Sequence, residues 1–312
     1  MSSGRGGVGV PFLALKRVTG SDQPVFFSFP GENKAISPDE LGITELTNTN
    51  CWATPQGWVL VRSAASSSTC LLDPHSNGYK IELPHLPTDS LSPYCSCLLC
   101  CFVLLVETDA PIIWYCRIVG DDDKAAWVRH EYDIGTLPLP DLGEGCSEKL
   151  VISPVTACQG KVYFNANLEE GLHVLDLCSP TPVFSFIAIR NAIPSPLGGQ
   201  KVFMVESQQE LFVVCLLPQD RIIVHRMDFS EQEWRPVDDI GDRVLLLSSW
   251  YFAAARPAEE ECGLERNCVY MVCPWSRCLM VFNLRDGTAR VQRLHKAPAA
   301  DQALWILPTT QS

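Results

Sequence analysis

Five stretches of this chain alternate apolar and polar residues, stop at a short polar turn, and then resume the alternation. They begin at Trp58 (WVLVRSAASSSTCLLDPHSNGYKIELPHL), Ile112 (IIWYCRIVGDDDKAAWVRHEYDIGT), Lys161 (KVYFNANLEEGLHVLDL), Val224 (VHRMDFSEQEWRPVDDIGDRVLLLSS) and Cys268 (CVYMVCPWSRCLMVFNLRDGTARVQRL). A period of two places successive side chains on opposite faces of a strand. In the last stretch Met280, Phe282 and Leu284 alternate with Val281, Asn283 and Arg285; Asp286-Gly287 then turns the chain, and Val291 and Leu294 carry the return. Asp-Gly between two such runs predicts a hairpin, because glycine takes positive φ at no steric cost. Asn77-Gly78 plays the same part in the first stretch, and Ser230 to Glu233 joins Met227 and Phe229 to Trp234 and Val237. β-branched and aromatic residues fill the runs, as pleated strands favour. One short helical turn is predicted at residues 37–41, with Ser37 as N-cap and Pro38 as the first helical residue.

The stretches recur roughly every 45–50 residues, the spacing of propeller blades of about four strands. The expected blades are residues 43–86, 87–135, 151–193, 201–240 and 241–294. PVFFSFP from Pro24, KAIS from Lys34 and ALWILP from Ala303 remain over. Their simplest use is a shared blade. The predicted fold is therefore all-β, a single β-propeller of about six four-stranded blades closed by pairing of its N- and C-terminal strands. It is expected to occupy residues 21–308, between a short flexible segment 1–20 and a flexible tail 309–312. Pro138-Leu139-Pro140 and Pro194-Ser195-Pro196 read as linkers between blades. A β-sandwich is the competing architecture. At 312 residues it requires two domains, and no distinct linker divides the chain.

Composition narrows the partners. Hydrophobic residues are 46% and charged residues 19%, enough for a large core. The net charge of −12 repels phosphate backbones and no basic run relieves it, so no nucleic-acid partner is expected. The most apolar run, Cys97 to Val106, is about half the ~20 residues that a spanning helix needs. It is predicted to be one strand buried on both faces, and no membrane association is expected. The start of the chain shows no basic segment followed by an apolar core. The 15 dispersed cysteines, odd in number and set in apolar runs, are unlike a secreted disulfide framework. They suit a reducing compartment, where cysteine acts as a small hydrophobe. The expected location is intracellular, cytoplasmic or nuclear, with Arg5, Lys16 and Arg17 leaving organellar targeting open.

Read together, several segments resemble the KIB-type β-propeller domain of plant F-box proteins, formerly domain of unknown function 295. They are GWVLV at Gly57, LLDPHSNGYKIELPHL at Leu71, APIIWYCRIVGDDDKAAWVRHEY at Ala110, CQGKVYFN at Cys158, MDFSEQEWRPVDDIGDRVLLLSS at Met227, CVYMV at Cys268, VFNLRDGTARVQRL at Val281 and the terminal ALWILP. They span nearly the whole chain, and the run from Met227 together with GKVYFN carries the resemblance. The resemblance implies a propeller that presents a target to a ubiquitin ligase through an F-box docked on a Skp-type adaptor. Only about 23 residues precede PVFFSFP, and they lack the Leu-Pro-led helical pattern of an F-box. Docking to the adaptor is therefore not part of the expectation.

No catalytic constellation stands out. There is no Gly-x-Ser-x-Gly, His-Glu-x-x-His, phosphate-loop or dinucleotide motif, and no metal or cofactor is expected. Cys95, Cys97, Cys100 and Cys101 have the density of a zinc knuckle, but on a strand Cys100 faces away from the other three and the neighbours are Leu, Phe and Val. Buried packing is the expected role. Cys262 and Cys268 flank GLERN, where a loop disulfide is disfavoured by a reducing compartment. His130, Glu131, Tyr132 and Asp133 read as an exposed strand end with alternating faces. Trp58, Trp127 and Trp234 are expected to pack blade against blade, at about 3–5 kcal/mol each if truncated to Ala. Asp228, Asp238, Asp239, Gly241 and Asp242 are expected to shape strand ends and turns. The loops free to recognise a partner are acidic: Asp121, Asp122 and Asp123; Glu169 and Glu170; Glu259, Glu260 and Glu261. If they share one face, they suit a basic protein surface.

The expected function is that of a non-enzymatic protein-interaction propeller with an unidentified protein partner. A propeller hydrolase or lyase with an axial site is the rival, and requires acids or histidines converging on the channel. A decayed family member without an independent role is the third reading.

Overall fold

The computed structural model describes residues 10–16, 24–28, 35–38, 43–47, 49–63, 66, 68–76, 78–87, 91–92, 94–118, 126–139, 145–165, 171–191, 201–219, 221–258, 263–295, 297 and 300–309. They form a six-bladed β-propeller. Blade 1 draws on both ends of the chain: β27 (Gln302–Ile306) pairs with β1 (Phe12–Lys16), and β2 (Val25–Ser28) and β3 (Ala35–Ile36) follow outward. In register, Leu13 faces Trp305 and Leu15 faces Ala303. The ring thus starts before residue 21. FLALK supplies a full strand from the segment expected to be flexible, because its apolar side chains are buried between the C-terminal strand and β2.

Blade 2 is β4 (Thr49–Ala53), β5 (Val59–Ser63), β6 (Thr69–Asp73) and β7 (Tyr79–Leu83), antiparallel throughout. Blade 3 is β8 (Cys95–Leu99), β9 (Phe102–Glu107), β10 (Ile112–Arg117) and β11 (Val128–Glu131). The apolar run from Cys97 is therefore two strands. The chain reverses at Cys100-Cys101, and Leu98 lies opposite Leu104 across the hairpin. No glycine or asparagine marks that reversal, which is why the sequence reads as one strand. A small hairpin, β12 (Thr136–Pro138) with β13 (Ser147–Lys149), occupies the expected linker between blades 3 and 4.

Blade 4 is β14 (Val155–Cys158), β15 (Lys161–Phe164), β16 (Gly171–Asp176) and β17 (Val183–Ala188). Blade 5 is β18 (Lys201–Ser207), β19 (Glu210–Leu217), β20 (Arg221–Asp228) and β21 (Glu233–Val237). Blade 6 has five strands rather than four. Its order from the axis is β23 (Ala253–Pro257), β22 (Arg243–Leu247), β24 (Cys268–Cys273), β25 (Cys278–Asn283) and β26 (Ala289–Arg293), with β22 and β24 parallel. The chain enters this blade at its second strand, turns inward to the axis, and resumes in the third at Cys268.

The innermost strands β27, β4, β8, β14, β18 and β23 stand side by side around the axis. Strand burial falls outward, from β9, buried at every residue, to β26, exposed at every residue. The apolar core lies between blades. Five clusters sit at successive seams: Phe26, Val61 and Trp305 around blade 1; Leu60 and Val103 between blades 2 and 3; Leu104 and Phe164 between 3 and 4; Leu172 and Val213 between 4 and 5; Phe212 and Val269 between 5 and 6. Each buried Leu, Val or Phe contributes about 1.5–3 kcal/mol of transfer free energy, so stacking the blades supplies what a lone four-stranded sheet lacks. A 3-10 turn at Thr44–Leu46 precedes blade 2; the helical turn predicted at residues 37–41 falls mainly on positions outside the described residues.

Candidate functional site

Antiparallel pairing fixes which loops meet at each end of the ring. The turns that leave the inner strands all open on one end: residues 54–58, Cys100-Cys101, Gln159-Gly160 and Gln208-Gln209. The ends of β23 and β27 arrive there as well. Together they border a cavity of about 710 Å³, the mouth of the axial channel. Its rim is rich in carboxamides. Gln56 Oε1 accepts the Leu99 N–H at 3.3 Å, Gln159 Nε2 donates to the Gln209 carbonyl at 2.8 Å, and the Gln209 N–H donates to Glu206 Oε1 at 2.8 Å. Gln159, Gln208 and Gln209 have φ of 50°, 52° and 64°. Two-residue hairpin turns demand that left-handed geometry, which glycine or asparagine ordinarily supplies. Gly57, at φ 97°, is required for a different reason: a Cβ there meets the Pro308 carbonyl oxygen at 2.4 Å.

Two arginines face this mouth. Arg243 donates to Glu210 Oε2 at 3.0 Å, caps the Ile240 carbonyl at 2.8 Å, and lies over the Phe212 ring. Arg256 has no carboxylate partner among the described residues. Its guanidinium donates to the carbonyls of Ala255 (2.7 Å), Pro55 (2.8 Å) and Pro308 (3.2 Å), so it bridges blades 6, 2 and 1, and its buried Nε–H has no acceptor. Burial lowers the Arg256 pKa to about 10, against the pull of the more distant Glu206. The described lining carries these two guanidiniums against the single carboxylate of Glu206, whereas the whole chain has 24 Lys and Arg against 36 Asp and Glu.

The opposite end of the channel is blocked. The hairpin between β22 and β23 reaches across the bore to blade 3, which stands diametrically opposite. Trp250 packs tilted against Tyr94 with ring centroids 4.1 Å apart, Ser96 Oγ donates to the Trp250 carbonyl at 2.8 Å, and Tyr251 contacts Phe203 of blade 5. Trp250 and Tyr251 hold φ of 56° and 60°, sparsely populated for aromatic residues. A cavity of only about 20 Å³ remains beside them, the space of about one water. The channel is a blind depression, not a pore.

The acidic residues expected to meet a partner, Asp121, Asp122, Asp123, Glu169, Glu170, Glu259, Glu260 and Glu261, lie outside the described residues. The strand ends flanking them do not share a face. β10 and β11 open toward the mouth, as do β23 and β24, while β15 and β16 open toward the blocked end.

The other expected residues are placed individually. Trp58 is half-buried and Trp127 buried in the seam between blades 2 and 3, with Trp127 Nε1 donating to the Pro84 carbonyl at 2.9 Å. Trp234 is buried between blades 4 and 5 opposite Met227. Asp228 Oδ1 accepts the N–H groups of Ser230 (3.0 Å) and Glu231 (3.1 Å) and the Ser230 hydroxyl (2.6 Å). Those bonds, and Arg235 nearby, hold its carboxyl below the usual range. Asp239 accepts the Gly241 N–H at 2.8 Å and pairs with Arg285, while the Asp238 carbonyl accepts Asn267 Nδ2 at 3.1 Å. Gly241 has φ 74°, and Asp242 is exposed, its carbonyl accepting the Ala258 N–H at 2.6 Å.

Two local readings need correction. Tyr132 does not continue an exposed strand. β11 stops at Glu131, and Tyr132 turns into the seam between blades 3 and 4, its hydroxyl accepting the Ile152 N–H at 2.8 Å. Burial pushes its pKa up to about 12, against that hydrogen bond. The cysteines also divide differently. Cys95 and Cys97 are buried between blades 2 and 3, whereas Cys101 is exposed at the turn and its thiol meets that of Cys178 from blade 4. Cys262 lies outside the described residues. Among the described residues no group of three or more His, Cys, Asp or Glu is placed to hold a metal ion, and no helix is long and apolar enough to cross a membrane.

The mouth went unread in the sequence. Gln-Gln is not a recognised turn pair, and Arg256 gains its meaning only from carbonyls on other blades.

Among solved structures, the chain is similar to a protein from Lactobacillus plantarum (TM-score 0.44, 11% identity, 91% of this chain and 81% of that one). It is similar to a functionally unknown protein from Desulfotomaculum acetoxidans (TM-score 0.46, 11% identity, 96% and 100%). A putative 6-phosphogluconolactonase from Bacteroides uniformis is also similar (TM-score 0.41, 13% identity, 95% and 99%). Likeness at this level carries no residue or activity across to this chain. No curated protein matches it. The profile of the KIB1-4 β-propeller family, in contrast, matches residues 26–293, from β2 through β26, and the chain belongs to that family.

Proposed function

We propose that this propeller is a non-enzymatic recognition module, working inside the cell, that engages a protein partner at the mouth of its axial channel. The observation that carries the reading is the blind mouth: about 710 Å³, open at one end, closed at the other by the Trp250-Tyr251 hairpin, and rimmed by carboxamide and guanidinium groups. Such groups recognise polar ligands through hydrogen bonds. The family relation to F-box-associated propellers supports a target-binding role.

The test is affinity purification of the intact chain, compared with a rim variant, Gln159→Arg/Gln208→Arg, and with a variant at the opposite end, Trp275→Ser. Trp275 is 75% exposed in the turn between β24 and β25. Partners lost from the rim variant and kept by Trp275→Ser support the reading. Identical recoveries from all three chains refute it, and co-purification of a Skp-type adaptor with the rim-dependent partners ties the module to a ligase.

A further inference from the structure

We propose that the channel mouth is a carboxylate-binding site, with Arg256 as its charge anchor and the rim carboxamides of Gln159 and Gln208 as neutral donors around it. The proposal rests on the reading of the mouth as the recognition surface and names the chemistry that it recognises.

Three observations converge. First, Arg256 is a largely buried cation whose described partners are all neutral carbonyls: Ala255, Pro55 and Pro308. A buried charge without an opposite charge is unfavourable unless something compensates it, and here one donor, Nε–H, also lacks an acceptor. Second, Arg243 is ion-paired with Glu210, so among the described lining residues Arg256 is the cation left to meet an anion, with Glu206 as the carboxylate beside it. Third, the rim presents the carboxamides of Gln159, Gln208 and Gln209 at hairpin turns, with positive φ as at Gln219 and Gln232 elsewhere in the chain. Arginine with flanking amides is the donor set that matches the planar, four-acceptor edge of a carboxylate.

The ligand is thus a carboxylate, either the Asp or Glu side chain of a partner peptide or a free small acid. Two probes separate these sources: a capped peptide containing Glu-Glu, with its Gln-Gln counterpart as the neutral control, and citrate. Each is titrated calorimetrically into the full chain. Binding of the Glu peptide but not the Gln peptide identifies an acidic peptide segment, and binding of citrate alone identifies a small acid. In either case Arg256→Gln weakens binding by about tenfold or more, as expected for loss of a charge-assisted hydrogen bond, and added salt weakens it further. Glu206→Gln has the opposite sign. It keeps the acceptor for the Gln209 N–H but removes the repelling charge, and tightens binding several-fold. A residue of purely structural importance does not strengthen binding when altered, so this variant also decides the question if Arg256→Gln fails to fold.

Three results overturn the proposal. The first is that neither acidic probe binds. The second is binding that is unchanged in Arg256→Gln and Glu206→Gln. The third is binding seen only after Glu259→Gln/Glu260→Gln/Glu261→Gln, which assigns the site to the chain's own acidic segment. Rim-dependent partners that persist while the acidic probes fail leave the recognition reading intact and remove only its carboxylate chemistry.

Discussion

Glu107 shows how one residue can set the pH response of a seam. It ends β9 and is only 3% exposed, and its Oε1 accepts Trp114 Nε1–H at 2.8 Å. Burial raises its pKa above the ordinary carboxylate value, with the Trp114 hydrogen bond working the other way. The folded pKa thus lies above the unfolded one, so ionisation favours the unfolded chain. This unfavourable contribution is absent below the unfolded pKa and grows as pH rises through the folded value. Glutamine keeps the acceptor for Trp114 and never ionises. Glu107→Gln is expected to unfold at a higher temperature than the wild type at pH 7 and to lose that advantage near pH 4. A thermal-shift difference independent of pH would contradict the cause assigned here. The cysteines allow a second check at this scale. Burial pushes the thiols of Cys51, Cys97 and Cys215 up, while Cys101 and Cys178 lie at the surface. Since alkylation needs an accessible sulfur, native alkylation followed by peptide mapping should modify Cys101 and Cys178 and reach Cys51, Cys97 and Cys215 only after unfolding. Modification of Cys97 in the native protein counts against its place in the core.

Among the elements, hairpins with Asp-Gly turns were legible from alternation alone, as β25, Asp286-Gly287 and β26 show. Their turn chemistry is local, and Asp286 Oδ1 accepts the Thr288 N–H at 2.9 Å within the turn itself. The expected blade boundaries follow the same logic. What was not legible is non-local. FLALK is a strand because β27 and β2 lie on either side of it, and the five-stranded order of blade 6 arises from a crossover that no periodicity encodes. The turn at Cys100-Cys101 lacks glycine, so it reads as strand interior, and the turn at Gln208-Gln209 lacks glycine as well. The second of these makes a prediction. Gln208 and Gln209 sit at φ 52° and 64°. The left-handed region costs a side-chain-bearing residue roughly 1–2 kcal/mol, partly offset in glycine by its greater unfolded-state freedom. Gln208→Gly/Gln209→Gly should therefore stabilise the fold by about 1 kcal/mol, raising the urea midpoint at constant slope. If the rim is functional, the same variant weakens mouth-dependent binding. A lower midpoint would mean that the glutamine side chains contribute more to folding than the turn geometry costs.

At the scale of the whole molecule, the ring is held by its C-terminal strand. Trp305 is 0% exposed, and its indole N–H donates to the Leu247 carbonyl at 3.1 Å. Ser248 Oγ donates to the Ala303 carbonyl at 2.6 Å, so blade 6 grips β27 at two adjacent points. From the other side blade 2 closes just past the C-terminal end of the same strand, with Gly57 packed so tightly that a Cβ would sit 2.4 Å from the Pro308 oxygen. Arg256 spans both sides through Pro55 and Pro308. Every blade contacts two neighbours, so loosening this one seam exposes apolar surface on blades 6, 1 and 2 together and leaves new sheet edges. Trp305→Ala is expected to cost about 3–5 kcal/mol. Gly57→Ala should also be strongly destabilising, because it combines a φ of 97° with a backbone clash. If closure makes the six blades one cooperative unit, both variants shift a single unfolding transition, and tryptophan fluorescence and far-ultraviolet circular dichroism remain superimposed across the urea titration. An early, separate fluorescence change in either variant, with the dichroism transition left in place, would show that blade 1 opens by itself and that the ring does not depend on its clasp.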